Sequence, residues 1–340
     1  MILIERELMA YSPSIDNMTS LALLSHAESV PGKPFVFASA SMRELVRTVQ
    51  QVARSNAAVL ITGESGSGKE LVARALHQYS LRCNNPWIDI NSGALPEHLV
   101  ESELFGYEKG AFSGAESTKQ GLFELAHTGT LFLDEIAELE PRTQVKLLRV
   151  LDGTPHYRLG GVRKVWVDVR VIAATCRDLG EVMRQGAFRR ELYYRLSQIH
   201  LKVPPLRERP EDIRPLAELF LREAAPASTF STQALEALQR YSWPGNVREL
   251  RNVVVAAGVL AGGPEITLAD LPSEVNAQVG APSCATPTRL KEMEQEMIIQ
   301  ALAKTGGSSQ LAAAMLGISK RTLSRKLKRY EIEDAPCKAA

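Results

Sequence analysis

The sequence predicts a parallel α/β domain, a helical domain behind it, and a small helical module near the C-terminus. Between residues 36 and 206, β-rich runs such as AAVLITG, GTLFLDE and VRVIAAT alternate with amphipathic helical stretches. Between residues 207 and 272 the pattern is helical only, with Pro and Gly at the helix ends. The helical pattern resumes over 289–333. Residues 1–35 form a short N-terminal extension, and 273–288, which lack apolar periodicity, predict a linker.

Composition and charge narrow the class of protein. The chain has 340 residues, of which 45% are hydrophobic and 23% are charged. These fractions match soluble globular domains and exclude a largely disordered or fibrous protein. The net charge is only +1, but residues 288–330 carry nine Lys or Arg against three Glu. The C-terminal module is therefore basic and the rest of the chain mildly acidic, an asymmetry that indicates a specialised module.

Cysteine spacing and hydropathy bear on the compartment. Cys83, Cys176, Cys284 and Cys337 lie far apart and form no CxxC pair. Neither a disulfide framework nor a zinc site is therefore predicted, and a reducing compartment is favoured. The N-terminal residues MILIEREL lack the regions of a signal peptide, and no apolar run approaches the roughly 20 residues of a membrane helix. We expect a cytoplasmic protein with no membrane partner.

A glycine-rich loop lies between a predicted strand and a predicted helix. It follows the apolar run 57–61 and precedes the helical pattern 70–79. In this context a GxxxxGK segment predicts a phosphate-binding loop, whose backbone N–H groups surround phosphate oxygens at the helix N-terminus. Its lysine would place a positive charge on the β- and γ-phosphates. The predicted ATP-binding residues of this segment are Gly63, Glu64, Ser65, Gly66, Ser67, Gly68, Lys69 and Glu70.

The segment LFLDE is a second candidate nucleotide motif, an apolar run that ends in two acidic residues. Asp134 and Glu135 close this predicted strand, downstream of Lys69 in the α/β pattern. Glu70 occupies the position where the generic loop has a Ser or Thr whose hydroxyl binds Mg²⁺. Asp134 is therefore the candidate Mg²⁺ ligand, directly or through water. Glu135 is the candidate for polarising the water that attacks the γ-phosphate.

The segment ESELFGYEKGAFSGA lies between the two nucleotide motifs. An aromatic and a hydroxyl residue flanked by glycines predict a mobile tip with an exposed apolar contact group. This segment resembles the GAFTGA signature of sigma-54-dependent transcription activators, the bacterial enhancer-binding AAA+ proteins of NtrC type. GESGSGKE likewise resembles the Walker A motif of that family, in which Glu after the Lys is usual. The resemblance runs from about Phe35 to Pro272 and resumes in the C-terminal module.

The resemblance implies a fold and a partner for the loop. The fold is an α/β AAA+ P-loop ATPase, a parallel sheet with a helical lid, followed by an all-α Fis-like helix-turn-helix domain. In the family the loop touches sigma-54 and moves with the nucleotide state. Ser113 stands where Thr is usual. The implied sigma-54 contacts are Gly110, Ala111, Phe112, Ser113, Gly114 and Ala115.

Two further motifs imply catalytic roles. Asn91, in IDINSGALPE, matches the Asn that family members pair with the Walker B glutamate, so it would restrain Glu135. Arg189 and Arg195, in FRRELYYRL, match the arginine-finger region. Such arginines would reach the γ-phosphate bound by a neighbouring subunit and offset transition-state charge.

The remaining nucleotide-sensing positions follow in the same way. The strand VRVIAATCRDL matches the sensor I strand and places Thr175 near the γ-phosphate, with Cys176 where Asn is common. A thiol is a weak hydrogen-bond donor, so coupling through this position would differ. WPGNVREL matches the lid signature and implies that Arg248 is sensor II, whereas Trp243 is a packing residue.

The C-terminal module has the pattern of a helix-turn-helix. A first apolar helix face ends at Gly306–Gly307, a short helix follows over 309–316, and the turn 317–319 precedes a basic helix over 320–330. The glycine allows the turn, and Ser319 is a favourable N-cap. The module resembles the Fis-like DNA-binding domain of the same family, whose last helix enters the major groove. The candidate DNA-binding residues are Ser319, Lys320, Arg321, Thr322, Ser324, Arg325 and Lys328.

Together with these residues, the resemblance implies an ATP-hydrolysing, Mg²⁺-dependent activator. It would bind upstream DNA as a ring, a hexamer as in the family, and remodel closed complexes of sigma-54 RNA polymerase holoenzyme into open ones. The alternative is a DNA-binding AAA+ regulator that acts without this remodelling, as a repressor or co-regulator. A third hypothesis is an AAA+ unfoldase or helicase. It is poorly supported, because the sequence shows no substrate domain. Because only about 35 residues precede the resemblance, too few for a receiver domain, we expect control by a separate regulatory protein or by expression level.

Overall fold

In a computed structural model of the chain, two compact units are described separately, residues 1–279 and 280–340. Within the described residues, no helix is long and apolar enough to cross a membrane. The residues that the structure describes are 27–30, 33–277, 298, 305, 309–315, 323 and 326–327. The predicted DNA-binding residues Ser319, Lys320, Arg321, Thr322, Ser324, Arg325 and Lys328 all lie outside them.

A five-stranded parallel sheet forms the centre of the first unit, in the order β4-β5-β8-β3-β9. The strands of the unit, in chain order, are β1 (Ala27–Val30), β2 (Lys33–Val36), β3 (Val59–Thr62), β4 (Trp87–Asn91), β5 (Thr130–Asp134), β6 (His156–Tyr157), β7 (Lys164–Val165), β8 (Arg170–Thr175), β9 (Ile199–Lys202), β10 (Thr229–Phe230) and β11 (Glu265–Ile266). The helices are α1 (Ala40–Ala53), α2 (Lys69–Gln78), α3 (Glu97–Phe105), α4 (Leu122–Leu125), α5 (Pro141–Leu151), α6 (Leu179–Arg184), α7 (Arg190–Leu196), α8 (Ile213–Ala224), α9 (Thr232–Arg240), α10 (Asn246–Leu260) and α11 (Ser273–Ala277).

The central strands β3, β5 and β8 are buried on both faces, as expected of a parallel sheet covered by crossover helices. On one face Ile61 packs in a core that includes α1 and α2. On the other face its neighbour Leu60 packs in a core with residues of α3, α5 and α7. This alternation follows from the two-residue period of a strand. The predicted α/β architecture is confirmed.

The helical lid has a core of its own. Helices α8, α9, α10 and α11 pack around Trp243, which is fully buried and donates its indole N–H to the carbonyl of Leu238 at 2.8 Å. The first five residues of the predicted linker are α11, and Val275 on it is 2% exposed in the lid core. One apolar residue among polar neighbours provides no periodicity, which is why the sequence pattern missed this helix.

Short elements also lie outside the five-stranded sheet of the first unit, and one helix is described in the second unit. Strands β1 and β2 pair antiparallel within and just beyond the predicted N-terminal extension. In the second unit, α12 (Ser309–Met315) agrees with the predicted short helix over 309–316. Leu323 and Leu327, two apolar residues within the predicted basic helix 320–330, are buried.

Candidate functional site

The parallel sheet brings three predicted positions, Thr175, Asn91 and Asp134, to one edge. Thr62, the last residue of β3, is in register with Thr175 at the end of β8, and Asn91 of β4 is in register with Asp134 of β5. The carboxyl ends of parallel strands meet at the same edge of a sheet, where ligands bind in open α/β folds. The phosphate loop follows β3, so it begins at this edge.

The phosphate loop is folded around its lysine. Gly66 and Gly68 have φ values of 74° and 106°, a region that favours glycine, and α2 begins at Lys69. Lys69 is 7% exposed, and its ammonium donates to the carbonyls of Gly63 at 2.9 Å and Glu64 at 3.2 Å. The positive charge therefore lies within the loop at the N-terminus of a helix, an arrangement suited to a phosphate.

Asp134 and Glu135 form a coupled acidic pair at the end of β5. The backbone N–H of Glu135 donates to Oδ1 of Asp134 at 3.0 Å, and Glu135 has a φ of 52°, a strained value for a side chain of this size. Burial, followed by the charge of Glu135, raises the pKa of Asp134. A cation bound beside Asp134 would relieve both effects.

The Asp134 site fits a magnesium ion held partly by phosphate. Mg²⁺ binds through one or two carboxylates together with substrate phosphates and water. Within the described residues there is no cluster of three or more His, Cys, Asp or Glu side chains that could hold a metal alone. Asp134 would therefore hold the ion together with nucleotide phosphates.

Glu135 is held by the sensor I strand. Its Oε2 accepts from the backbone N–H of Cys176 at 3.1 Å and from the hydroxyl of Thr175 at 3.4 Å. Asn91 instead directs its amide toward Oδ2 of Asp134 at 3.5 Å, and its Oδ1 accepts from the N–H of Gly93. The expected pairing of Asn91 with Glu135 is thus not present in this structure, because the strand register places Asn91 opposite Asp134. Burial and the charge of Glu135 raise the pKa of the Cys176 thiol.

The lid reaches the phosphate loop at several points. Arg248, the predicted sensor II, donates to the hydroxyl of Ser65 at 3.0 Å. Arg207 forms two hydrogen bonds with the carboxylate of Glu64, at 2.7 and 2.8 Å. Hydrogen bonds from Arg207 and then from Asn246 lower the pKa of Glu64 to about 2.

Sequence reasoning missed three residues at this junction, Arg207, Arg209 and Asn246. Asn246 lies inside the WPGNVREL segment that identified the lid, but that motif directs attention to its arginine. Arg207 and Arg209 belong to a run of alternating charges, LRERPED, which also fits an exposed turn. The flanking prolines were the only local signal that this run has a fixed conformation.

The two predicted finger arginines contact neither the phosphate loop nor Asp134 or Glu135. The guanidinium of Arg195 donates twice to the carbonyl of Leu151, at 3.0 and 2.8 Å, and lies 3.2 Å from the carboxylate of Asp152. Arg189 precedes α7, and its side chain is exposed. Both lie on a surface element, as side chains that act on another subunit would.

The predicted contact loop is a tight, glycine-flanked turn. Gly110 and Gly114 have φ values of 84° and 103°, and the N–H of Gly110 donates to the carbonyl of Ala115 at 2.9 Å. Phe112 is 45% exposed and packs edge-on against Tyr107, with ring centroids 5.0 Å apart. Ser113 is exposed. The loop therefore presents an aromatic and a hydroxyl group to its surroundings.

A cavity of about 480 Å³ opens beside the phosphate loop, within the usual range for small-molecule sites. Gly63, Glu64, Cys176 and Arg207 line it, together with the ends of β3 and β9. It provides room next to the loop for a ligand larger than a phosphate group.

Three family matches cover most of the chain. Residues 35–202 match "Sigma-54 interaction domain", residues 207–286 match "AAA+ ATPase lid domain", and residues 289–330 match "Bacterial regulatory protein, Fis family". The lid match continues past Ser273, in agreement with helix α11.

Characterised relatives align over most of the chain. The regulatory protein AtoC of Escherichia coli is 45% identical over 311 residues, covering 87% of this chain and 68% of AtoC. The transcriptional regulatory protein ZraR of Klebsiella oxytoca is 47% identical over 302 residues, covering 86% of this chain and 68% of ZraR. The DNA-binding transcriptional regulator NtrC of Escherichia coli is 43% identical, covering 86% and 69%.

Solved structures of a related protein share the fold. NtrX from Brucella abortus, in crystal structures with ADP and with ATP, is 36% identical to this chain with a TM-score of 0.67. Each alignment covers 88% of this chain and 70% of NtrX.

Proposed function

The chain belongs to the family of sigma-54-dependent transcriptional regulators, an AAA+ ATPase with a Fis-type DNA-binding domain, and we propose that it activates transcription by remodelling sigma-54 RNA polymerase. The observation that carries the proposal is the pairing of Lys69, Asp134 and Glu135 near one edge of the sheet with an exposed Phe112–Ser113 tip. ATP hydrolysis at the first would move the second against sigma-54, converting closed promoter complexes into open ones.

The proposed chemistry assigns one role to each residue at the sheet edge. Lys69 and the loop N–H groups bind the phosphates. Asp134 would hold Mg²⁺, and the ion would supply positive charge to the phosphates. Glu135 orients and polarises the attacking water, and its hydrogen bonds to Cys176 and Thr175 link the base to the sensor I strand. Arg248, on the lid, serves as the sensor II residue that responds to the bound nucleotide.

The proposed assembly is a homo-oligomeric ring, a hexamer as in the family. Arg189 and Arg195 would complete the site of the next subunit, which is consistent with their position away from the phosphate loop of their own chain. The helix-turn-helix, with Lys320, Arg321 and Arg325 toward phosphates and bases, would hold the ring at an upstream DNA site.

Promoter opening tests the proposal directly. Purified protein is added to sigma-54 holoenzyme and ATP on a supercoiled sigma-54 promoter with an upstream binding site, and unpaired thymines are mapped with permanganate. We expect ATP-dependent opening by the wild type and none by Lys69→Ala. Lys146→Ala is the matched control, because Lys146 lies on the surface of α5 and pairs with Glu101; it should open the promoter normally.

ATP hydrolysis and DNA binding without any opening would contradict the proposal and favour the regulator that acts without remodelling. Ser113 and Cys176 are the positions where the sequence departs from the family pattern. Ser113→Thr then separates a weakened sigma-54 contact, which the added methyl group would restore, from a different mode of regulation.

A further inference from the structure

Three consecutive carbonyls of the phosphate loop are held by the lid. The side-chain amide of Asn246 donates to the carbonyl of Ser65 at 3.2 Å. The backbone N–H of Val247 donates to the carbonyl of Gly66 at 3.0 Å. The guanidinium of Arg209 donates to the carbonyl of Ser67 at 2.6 Å. Each bond fixes one peptide plane of the loop from outside.

The orientation of these peptide planes decides whether the loop can bind phosphate. A loop that surrounds an anion directs its N–H groups inward, so its carbonyls must point outward and find donors elsewhere. Lys69 provides the donor for Gly63 and Glu64. The next three carbonyls depend on the lid.

The side chains that hold the loop are themselves fully constrained. Asn246 is 0% exposed; its Oδ1 accepts from the N–H of Leu206 at 2.8 Å, and its amide also reaches Glu64 at 3.0 Å. Arg209 is buried and lies 3.6 Å from Asp212, whose carboxylate is also buried. Burying a guanidinium costs desolvation free energy, so a gain in folding stability does not by itself account for the bond from Arg209 to the carbonyl of Ser67.

The backbones of lid and loop also pack directly together. A Cβ atom at Gly66 would collide with the carbonyl of Gly245, the residue that precedes α10. A displacement of the lid therefore moves the loop as well as the sensor arginine.

We propose that Asn246 and Arg209 are positioning residues that hold the phosphate loop in its phosphate-binding conformation, so that nucleotide affinity depends on the lid through the loop backbone. The inference rests on the proposed role of the loop in ATP binding. It is independent of Arg248, which donates to the side-chain hydroxyl of Ser65 and not to a carbonyl of the loop.

Two variants remove the donors with little change in shape. Asn246→Asp keeps the oxygen that caps Leu206 but loses both amide bonds, and Asp tolerates the φ of 55° nearly as well as Asn. Arg209→Lys keeps the charge beside Asp212 but loses the planar group that spans two acceptors. Arg251→Gln is the control, since Arg251 pairs with Glu223 within the lid and touches no loop carbonyl.

The measurement is binding of N-methylanthraniloyl-ADP to the full chain by fluorescence anisotropy, with unlabelled ADP and adenosine as competitors. We expect each variant to raise the dissociation constant for ADP roughly tenfold, the effect of losing one or two bonds to the loop. The dissociation constant for adenosine, which has no phosphate, should stay within about twofold. Arg251→Gln should bind both ligands as the wild type does.

The outcomes separate the inference from the proposed function. ADP binding by the wild type with unchanged binding by both variants would overturn the inference alone, as would equal losses for ADP and adenosine, which indicate a general structural defect. Failure of the wild type to bind ADP would overturn the proposed function and the inference with it. Asn246→Asp places a carboxylate beside the carboxylate of Glu64, so the double variant Asn246→Asp/Glu64→Gln is included. This double variant should still bind ADP more weakly than the wild type does.

Discussion

Asp212 makes the strongest prediction about stability, because four groups of three residues depend on its buried carboxylate. Its Oδ1 accepts from the backbone N–H groups of Ala38 at 2.5 Å and Ser39 at 2.7 Å. Its Oδ2 accepts from the hydroxyl of Ser39 at 3.0 Å and lies 3.6 Å from the guanidinium of Arg209. The carboxylate thus joins the start of α1, the start of the lid and, through Arg209, the phosphate loop.

Removing this carboxylate leaves a buried charge and two buried N–H groups without partners. Loss of one member of a buried ion pair costs about 3–5 kcal/mol, and each unsatisfied buried donor costs about 1–3 kcal/mol unless water enters. We expect Asp212→Ala to lower the free energy of unfolding by about 4 kcal/mol. Asp212→Asn keeps one oxygen for the two N–H groups but directs an amide at Arg209, so about half of that loss is expected.

Urea unfolding followed by circular dichroism measures both losses. The control is Asp178→Ala, because Asp178 is an exposed N-cap that accepts only from Gly180, at 2.8 Å. Its loss should be about 1 kcal/mol. If Asp212→Ala destabilised the protein no more than Asp178→Ala, the buried network would not have the energetic role assigned to it here.

Three further predictions concern the loop, the base and pH. Phe112→Ala should leave ATP hydrolysis intact and cost at most about 1 kcal/mol of stability, since the residue is 45% exposed and its ring packs edge-on against Tyr107, yet it should abolish promoter opening in the permanganate assay. Glu135→Gln should slow phosphate release in a coupled assay roughly 10²- to 10⁴-fold while ADP still binds; a near-normal rate would assign the base elsewhere. The folded-state pKa of Glu64 is lowered from 4.5 to about 2, so the stability from its pair with Arg207 should be present above pH 4.5 and disappear as the pH falls toward 2. Because both side chains are more than a third exposed, that contribution should stay below about 1 kcal/mol, and Arg207→Gln should remove its pH dependence in urea titrations.

Much of the site was predictable because local motifs coincide with strand ends. Lys69 follows a strand–loop–helix pattern, and Asp134 and Glu135 end an apolar run, so chain order and parallel pairing alone place them at one edge. The position of a strand end in the sequence does not show the register of that strand with its neighbours. The partner of Asn91 depends on which residues of β4 and β5 face each other, and the structure pairs it with Asp134.

The lid contacts were not predictable for a different reason. Arg209 and Asp212 lie three residues apart in a polar turn, a pattern that describes many exposed surfaces. Their burial follows from the packing of the lid against the start of α1 and the phosphate loop, far away in sequence. Polar residues buried by such long-range packing have no periodic signature, and the same holds for Asn246.

In the proposed function, the phosphate loop couples ATP hydrolysis to movement of the lid. Asp134 ends β5 and Glu135 follows it, and β5 is a buried central strand paired with β8. The lid has a separate core around Trp243. The loop belongs to neither core: one end continues β3, and its middle three carbonyls are bound to the lid. In the proposed function, a shift between the two cores would change the loop that carries Lys69, and loss of the γ-phosphate would act on the loop contacts that hold the lid.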